Sequence, residues 1–297
     1  MNREDKSFYD TYDYSMERRL QKMSPDLHKR FTDAVFGVQN ILSDYQTIFP
    51  GYTDHSERHS LTVIEFCNKL IADQIERLNE DEMYVLLVGC YFHDTGMGTS
   101  LKDYEEFLPK LDLGTYPETH DMNDTPSVIR DFHNELSGLF IRKYEKLFDI
   151  PSKDHLDAII QIARGHRKTD LMDEEVYPIS KVFPSGNTVC YPYLSALIRL
   201  ADEIDMTSAR NSPLLYHIEN MVDEEDIMWM YIHEAIPKLE IRKDSFVFTG
   251  HTEDPVIEGH VRRVVGKMQK TLDICRKAVT GRTPYEITQE KVILKME

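Results

Sequence analysis

Tyr91-Phe92-His93-Asp94-Thr95-Gly96-Met97-Gly98 is the stretch on which the fold turns. An apolar segment, Tyr84 to Phe92, runs straight into a histidine followed by an aspartate, and two glycines come after. The pattern predicts a core helix that ends with His93 and Asp94 at its mouth. Glycine just past the pair lets the backbone turn sharply, because it tolerates positive φ. An imidazole beside a carboxylate can grip one borderline metal ion, and the carboxylate can bridge to a second. The pair alone is a weak signal, since 12 His and 52 acidic residues make chance adjacency ordinary.

Upstream, Phe49-Pro50-Gly51-Tyr52-Thr53 reads as a turn, and a helix follows to about Leu78. His59, Val63, Phe66 and Leu70 recur at helical spacing, which turns His59 inward. A core imidazole bonded to a carbonyl is the ordinary account of one such histidine. His55 lies a turn earlier, near the same face. Asn79 and Glu82 fit a capping box that opens the Tyr84–Phe92 helix. Ser24-Pro25 opens an earlier helix reaching about Tyr45, with Phe31, Val35, Val38 and Leu42 on one face. Residues 1–24, with Phe8, Tyr9, Tyr12 and Tyr14, read as a tail or a strap.

Downstream, residues 99–124 read as an irregular insertion beside the His-Asp pair, with His120 solvated or facing substrate. Thr125-Pro126 starts a helix that places Ile129, His133, Leu136 and Phe140 on one face. Ser152 caps another, which ends at Arg164-Gly165-His166-Arg167, so His166 stands at a helix end beside a glycine, as His93 does. Residues 167–190 form a second polar loop. The helical stretch Tyr193–Asp205 stacks Ile198, Asp202 and Asp205 on one side. A carboxylate facing a core is costly unless paired or metal-bound. From about residue 213 to 297 the pattern changes to alternating strands, Leu239–Arg242 and Ser245–Phe248, around a Lys243-Asp244 turn. A long helix from Pro255 and a last strand within Tyr285–Leu294 follow. The fold class expected is mainly α: a helical domain over 25–212 with a small C-terminal α+β appendage over 213–297 that caps the body or makes a dimer contact.

Composition narrows the function. The 297 residues are 41% apolar, enough for a sizeable core, and carry a net charge of −17, which repels nucleic-acid polymers. Double-stranded nucleic acid is therefore not an expected partner. A small phosphorylated substrate stays compatible, because bound metal inverts the local field. Four scattered cysteines without a Cys-x-x-Cys disfavour a zinc knuckle or redox pair. No apolar run approaches a membrane span, and the polar start Met1–Lys6 is unlike a signal peptide, so a cytoplasmic protein is expected.

Collected together, His59, His93, Asp94, His133, His166 and Asp202 each sit at a helix end or on an apolar face. Several buried imidazoles and carboxylates in such places call for one explanation, and a metal centre supplies it. Neutral imidazoles with carboxylates suit Mn, Fe, Co, Ni or Zn. In order and spacing these residues resemble the HD superfamily of metal-dependent phosphohydrolases. His59-Ser60-Leu61 is similar to the family's first histidine, His93-Asp94-x-Gly96 to its signature, and Asp202 in Leu200-Ala201-Asp202-Glu203 to its closing aspartate. His133 and His166 resemble the extra histidines of two-metal members. The resemblance spans about residues 50–210.

It implies a helical HD fold with two divalent transition ions. One would be held by His59, His93, Asp94 and Asp202, and the other by Asp94, His133 and His166. It also implies hydrolysis of a phosphomonoester or phosphodiester of a nucleotide or similar small molecule, with Asp94 as a catalytic residue. His55 is the candidate second catalytic residue, protonating the leaving oxygen; a structural role is the equal alternative. Arg58, Arg167, Lys168 and Arg210 flank the motifs and could clamp phosphate; a plain surface cation is the alternative for each. Met97-Gly98 stands where many members carry a lysine, and no Gly-Tyr-Pro signature is present, so cyclic dinucleotides are not implied. The same ligands would serve a di-iron oxygenase, and a non-catalytic nucleotide-binding module is a further alternative. A homo-oligomer is compatible with the appendage.

Overall fold

The computed structural model describes residues 13, 15–48, 57–210 and 224–297. Its helices in chain order are α1 (Ser15–Met23), α2 (Pro25–Ile48), α3 (Glu57–Ile71), α4 (Glu80–Phe92), α5 (Leu101–Phe107), α6 (Tyr116–Thr119), α7 (Thr125–Lys143), α8 (Lys153–Arg164), α9 (Tyr191–Glu203), α10 (Glu224–Glu234) and α11 (Pro255–Val279). Strands β1 (Lys181–Val182) and β2 (Thr188–Val189) form one small sheet, and β3 (Lys238–Ile241), β4 (Ser245–Gly250) and β5 (Lys291–Met296) a second. The fold is mainly α with a small C-terminal α+β part.

Helix α4 is the axis. From Asp81 to Phe92 every residue is buried, so the helix is apolar on all sides and must be surrounded. Helices α1, α2, α3, α8 and α9 all pack against it. Its start is fixed as the sequence suggests: Asn79 accepts from the Glu82 amide, and Glu82 reaches back to the Asn79 amide. At its far end Phe31 meets Tyr91, and Phe148 meets Phe92, edge to face at 5.8 and 4.7 Å.

Past α4, a 3-10 turn over Thr95–Gly98 presses against α7. A Cβ on Gly96 would collide with the His133 carbonyl and stand 2.8 Å from the Ser137 amide. Glycine is needed here for close approach, not for an unusual φ. Ser137 clamps the junction: its Oγ donates to the His93 carbonyl at 2.6 Å and accepts from the Gly96 amide at 2.8 Å.

Several local expectations change. Residues 99–124 carry α5 and α6 rather than irregular chain. Ser100 caps α5, and Tyr104 and Phe107 anchor its inner side. Helices of one or two turns leave too short a period to read. Residues 181–189 form a hairpin whose turn, Ser185 and Asn187, donates to the buried Asp81 carboxylate. Helix α9 stops at Glu203, so Asp205 follows the helix and does not stack on it. Only Lys291–Met296 forms the last strand; Tyr285–Thr288 is not one. Part of the N-terminal strap is helix α1, which buries Met16 and Leu20; Phe8, Tyr9, Tyr12 and Tyr14 lie outside the described residues.

The C-terminal part is joined to the body through side chains. β3 and β4 are antiparallel, and β5 lies parallel to β4. Helix α11 packs along α9. Tyr285 stacks flat on Tyr193 at 4.2 Å, and its hydroxyl donates to Glu82 at 2.6 Å.

Candidate metal centre

Five helix ends or faces bring six side chains to one point: His59 from α3, His93 and Asp94 past α4, His133 from α7, His166 past α8, and Asp202 from the last turn of α9. They form two groups able to hold a metal ion: His59 with His93 and Asp202, and Asp94 with His133 and His166.

At the first, His59 Nε2 lies 3.1 Å from Asp202 Oδ1, 3.3 Å from His93 Nε2 and 3.4 Å from Asp94 Oδ2. His93 Nε2 is 3.2 Å from the same Asp94 oxygen. At the second, Asp94 Oδ1 lies 3.4 Å from His133 Nε2 and 3.7 Å from His166 Nε2. Asp94 thus turns one oxygen to each group. Metal–ligand bonds of ~2.1 Å give ligand–ligand edges of roughly 3.0 Å in an octahedron and 3.4 Å in a tetrahedron. The observed separations fall in or close to that range.

Tautomers support the same reading. His93, His133 and His166 each donate through Nδ1 to the carbonyl three residues back, at 2.7, 2.7 and 2.6 Å. Arg167 also approaches His133 Nδ1, at 3.2 Å, but the shorter carbonyl contact sets the tautomer. His59 differs: its Nδ1 donates to Asp205 Oδ2 at 2.8 Å. All four imidazoles therefore turn Nε2 inward. His133 and His166 bring theirs to 2.8 Å of each other, an arrangement that a cation between them relieves. The donor set fits a divalent transition metal.

Charge follows position. Burial, reinforced by Arg167 and His166, holds His133 well below the ordinary imidazole value. Burial and His93 push His166 down to about 4. Both are neutral, as ligands must be. His59 goes the other way: burial and Arg210 lower it, but Asp202 and Asp205 prevail and push it up to about 9. Asp202 is held far below the carboxylate range: burial raises it, but its bond to His59 and the charges of His59 and Arg210 together prevail.

A cavity of about 290 Å³ opens on Asp94, His133 and Asp202. Arg167 and Arg210 line it, as their positions near the motifs suggest. Arg58 lines a neighbouring cavity of about 190 Å³ with His59 and Asp205. Lys168 lies outside both, 3.5 Å from Asp131. His55 falls outside the described residues, and His120 is exposed, stacked on Tyr116 at 4.0 Å.

Against known proteins, the family model HD-CE matches residues 49–285. The chain belongs to the HD-CE family. The match runs through both groups of His and Asp and on into the C-terminal part, as far as Tyr285. No curated protein matches the chain.

Sequence reading of this HD-CE protein missed three supporting residues. Asp205 orients His59. Buried Arg199 donates to the carbonyls of Gly165, Arg167 and Thr169, and so shapes the turn that carries His166. Ser137 clamps the His93 turn. An arginine within the apolar run of α9 was a visible signal; Asp205 was read as a carboxylate on the face of Asp202 but not as a partner of His59, and Ser137 looks like an ordinary polar residue. Trp229, His233 and Lys267 also line the main cavity, and nothing before residue 213 points to them.

Proposed function

We propose that this HD-CE protein is a metal-dependent phosphohydrolase that cleaves a phosphomonoester or phosphodiester in a small phosphorylated substrate, a nucleotide or a molecule like it. The observation that carries the reading is the double role of Asp94, whose two oxygens face two buried triads. His59, His93, Asp94 and Asp202 would hold one ion, and Asp94, His133 and His166 the other. Mn, Fe, Co, Ni and Zn all suit these nitrogen and oxygen donors. When bound, such ions supply a water of lowered pKa and offset charge on the phosphoryl oxygens. The residues of the chain do the rest. Arg167 and Arg210 present guanidinium groups to the cavity for the phosphate oxygens. Water oxygen bonds to phosphorus, the ester P–O bond breaks, and the leaving oxygen takes a proton, a task assigned to His55.

The test is metal content by mass spectrometry on wild type and Asp94→Ala, followed by phosphate release from a panel of esters. About two equivalents in wild type, lost in the variant together with ester cleavage, supports the reading. No uptake of Mn, Fe or Co refutes it. Oxygen consumption with iron, and no phosphate release, would identify an oxygenase.

A further inference from the structure

The metal-facing side of the main cavity is only half of its wall. The other half comes from α10 and α11, outside the motifs that hold the ligands. Trp229 and His233 are one turn apart on α10 and share its inner face. Their rings lie 6.3 Å apart, centre to centre. Val264, Lys267 and Met268 share a face of α11, and α10 packs on α11. With Met206 these residues make a wall that is mostly apolar and carries a few polar groups.

Three features of this wall point to a ligand. Trp229 is the only tryptophan in the chain, and it is half-buried at the cavity. An indole placed there next to thioethers is a surface for a flat ring. His233 is 1% exposed, yet its Nδ1 has no hydrogen-bond partner. The main chain at Met206 and Thr207 bonds the imidazole, which leaves Nδ1 as the atom still to be satisfied. A buried polar atom without a partner costs about 1–3 kcal/mol, so such an atom in a cavity wall marks a place for one. Burial and Arg210 push His233 down to about 3, so the ring is neutral and Nδ1 accepts. Lys267 is exposed where it lines the cavity, and its charge acts on Glu203 in the same lining.

We infer that α10 and α11 form the specificity wall of this site. It takes the non-phosphate half of the substrate, a flat heteroaromatic ring stacked on Trp229 with an N–H edge that donates to His233 Nδ1, with Lys267 at the exposed edge of the same wall. The inference rests on the phosphohydrolase reading only for which end of the ligand faces Asp94. A cavity of about 290 Å³ sits at the lower edge of the ~300–1,000 Å³ usual for small-molecule sites, so the ligand is the size of one nucleotide, not an oligomer. Base–aromatic stacking is tolerant of which ring is bound, and the donor edge adds selection.

The single tryptophan supplies the probe. Full-length protein is titrated with adenosine 5′-monophosphate, with purine riboside 5′-monophosphate, which lacks the amino group, and with ribose 5-phosphate, which lacks the ring. Emission and calorimetry are read together. The adenine compound is expected to quench Trp229 saturably and to bind most tightly. The compound without the amine binds about 5-fold more weakly, and ribose 5-phosphate leaves the emission unchanged. In Trp229→Leu the preference for the adenine compound over ribose 5-phosphate falls roughly 5- to 150-fold, the range set by one stacking contact. A preference that survives Trp229→Leu, or equal binding of the ring and ring-free compounds by wild type, overturns the inference. Turnover separates the two readings. If ring-free glycerol phosphate is cleaved while no ring compound perturbs Trp229, the wall fails and the hydrolase stands. If quenching is seen but no ester is cleaved with any metal, the wall stands and the hydrolase fails.

Discussion

Asp205→Asn is the perturbation that asks most of the centre's geometry. Three of the four inward-facing imidazoles are oriented by main-chain carbonyls at 2.6–2.7 Å, which no side-chain change removes. His59 alone depends on a side chain, Asp205 Oδ2 at 2.8 Å, with both groups buried. Asparagine keeps an acceptor oxygen for the His59 Nδ1–H and keeps the volume, but loses the negative charge that makes the imidazole a stronger donor. Loss of such an orienting partner typically weakens metal binding 10- to 100-fold, about 1.4–2.8 kcal/mol. The loss should be confined to one ion, because Asp205 is bonded to His59 and not to His133 or His166. Calorimetric titration of metal-stripped protein with Mn or Co should therefore resolve two tight sites in wild type, and one tight and one weakened site in the variant. Asp205→Ala should widen the gap further, since it strands His59 Nδ1 in the core. Equal weakening of both sites, or two unchanged sites, would refute the reasoning that each ion has its own orienting set.

The remaining predictions are local. Gly96→Ala should destabilise the fold by about 1–3 kcal/mol or more in urea unfolding, because the added Cβ meets backbone of His133 and Ser137 that cannot swing aside. Gly259→Ala in α11, with open space around it, should be neutral or slightly stabilising and serves as the control. Asp81 is held below the ordinary carboxylate value: burial raises it, but bonds from His155, Ser185 and Asn187 more than compensate. Its contribution is thus fully present above the unfolded value of 3.8 and lost as pH falls through the lower folded value. Asp81→Asn should flatten that acid-side loss of stability, measured by denaturant midpoints across pH 2–6, a range of about four units that brackets the transition. Saturating Mn should raise the melting temperature by several degrees, since ligand at ~1,000 times Kd adds about 4 kcal/mol. The rise should vanish in Asp94→Ala.

The sequence by itself determined the helical class, the course of α4 with its Asn79–Glu82 cap, and the six side chains that converge. Those features are periodic or local: apolar residues at helical spacing name the inward face, and a cap or a glycine names a helix end. His59 and His133 were legible because a polar residue interrupts an apolar stripe, and His93 and His166 because a glycine marks the helix end, Gly96 three residues after the first and Gly165 just before the second. Other features belong to the tertiary structure alone. Asp205 was expected to stack on α9, and only the end of the helix at Glu203 turns it toward His59, 146 residues away. The short helices of 99–124 escaped because two turns give too little period. The wall built by Trp229, His233 and Lys267 escaped for a different reason. Nothing in the pattern of α10 or α11 says which neighbour they cover; that is fixed only when α11 packs along α9 and carries α10 with it over the metal-facing side chains.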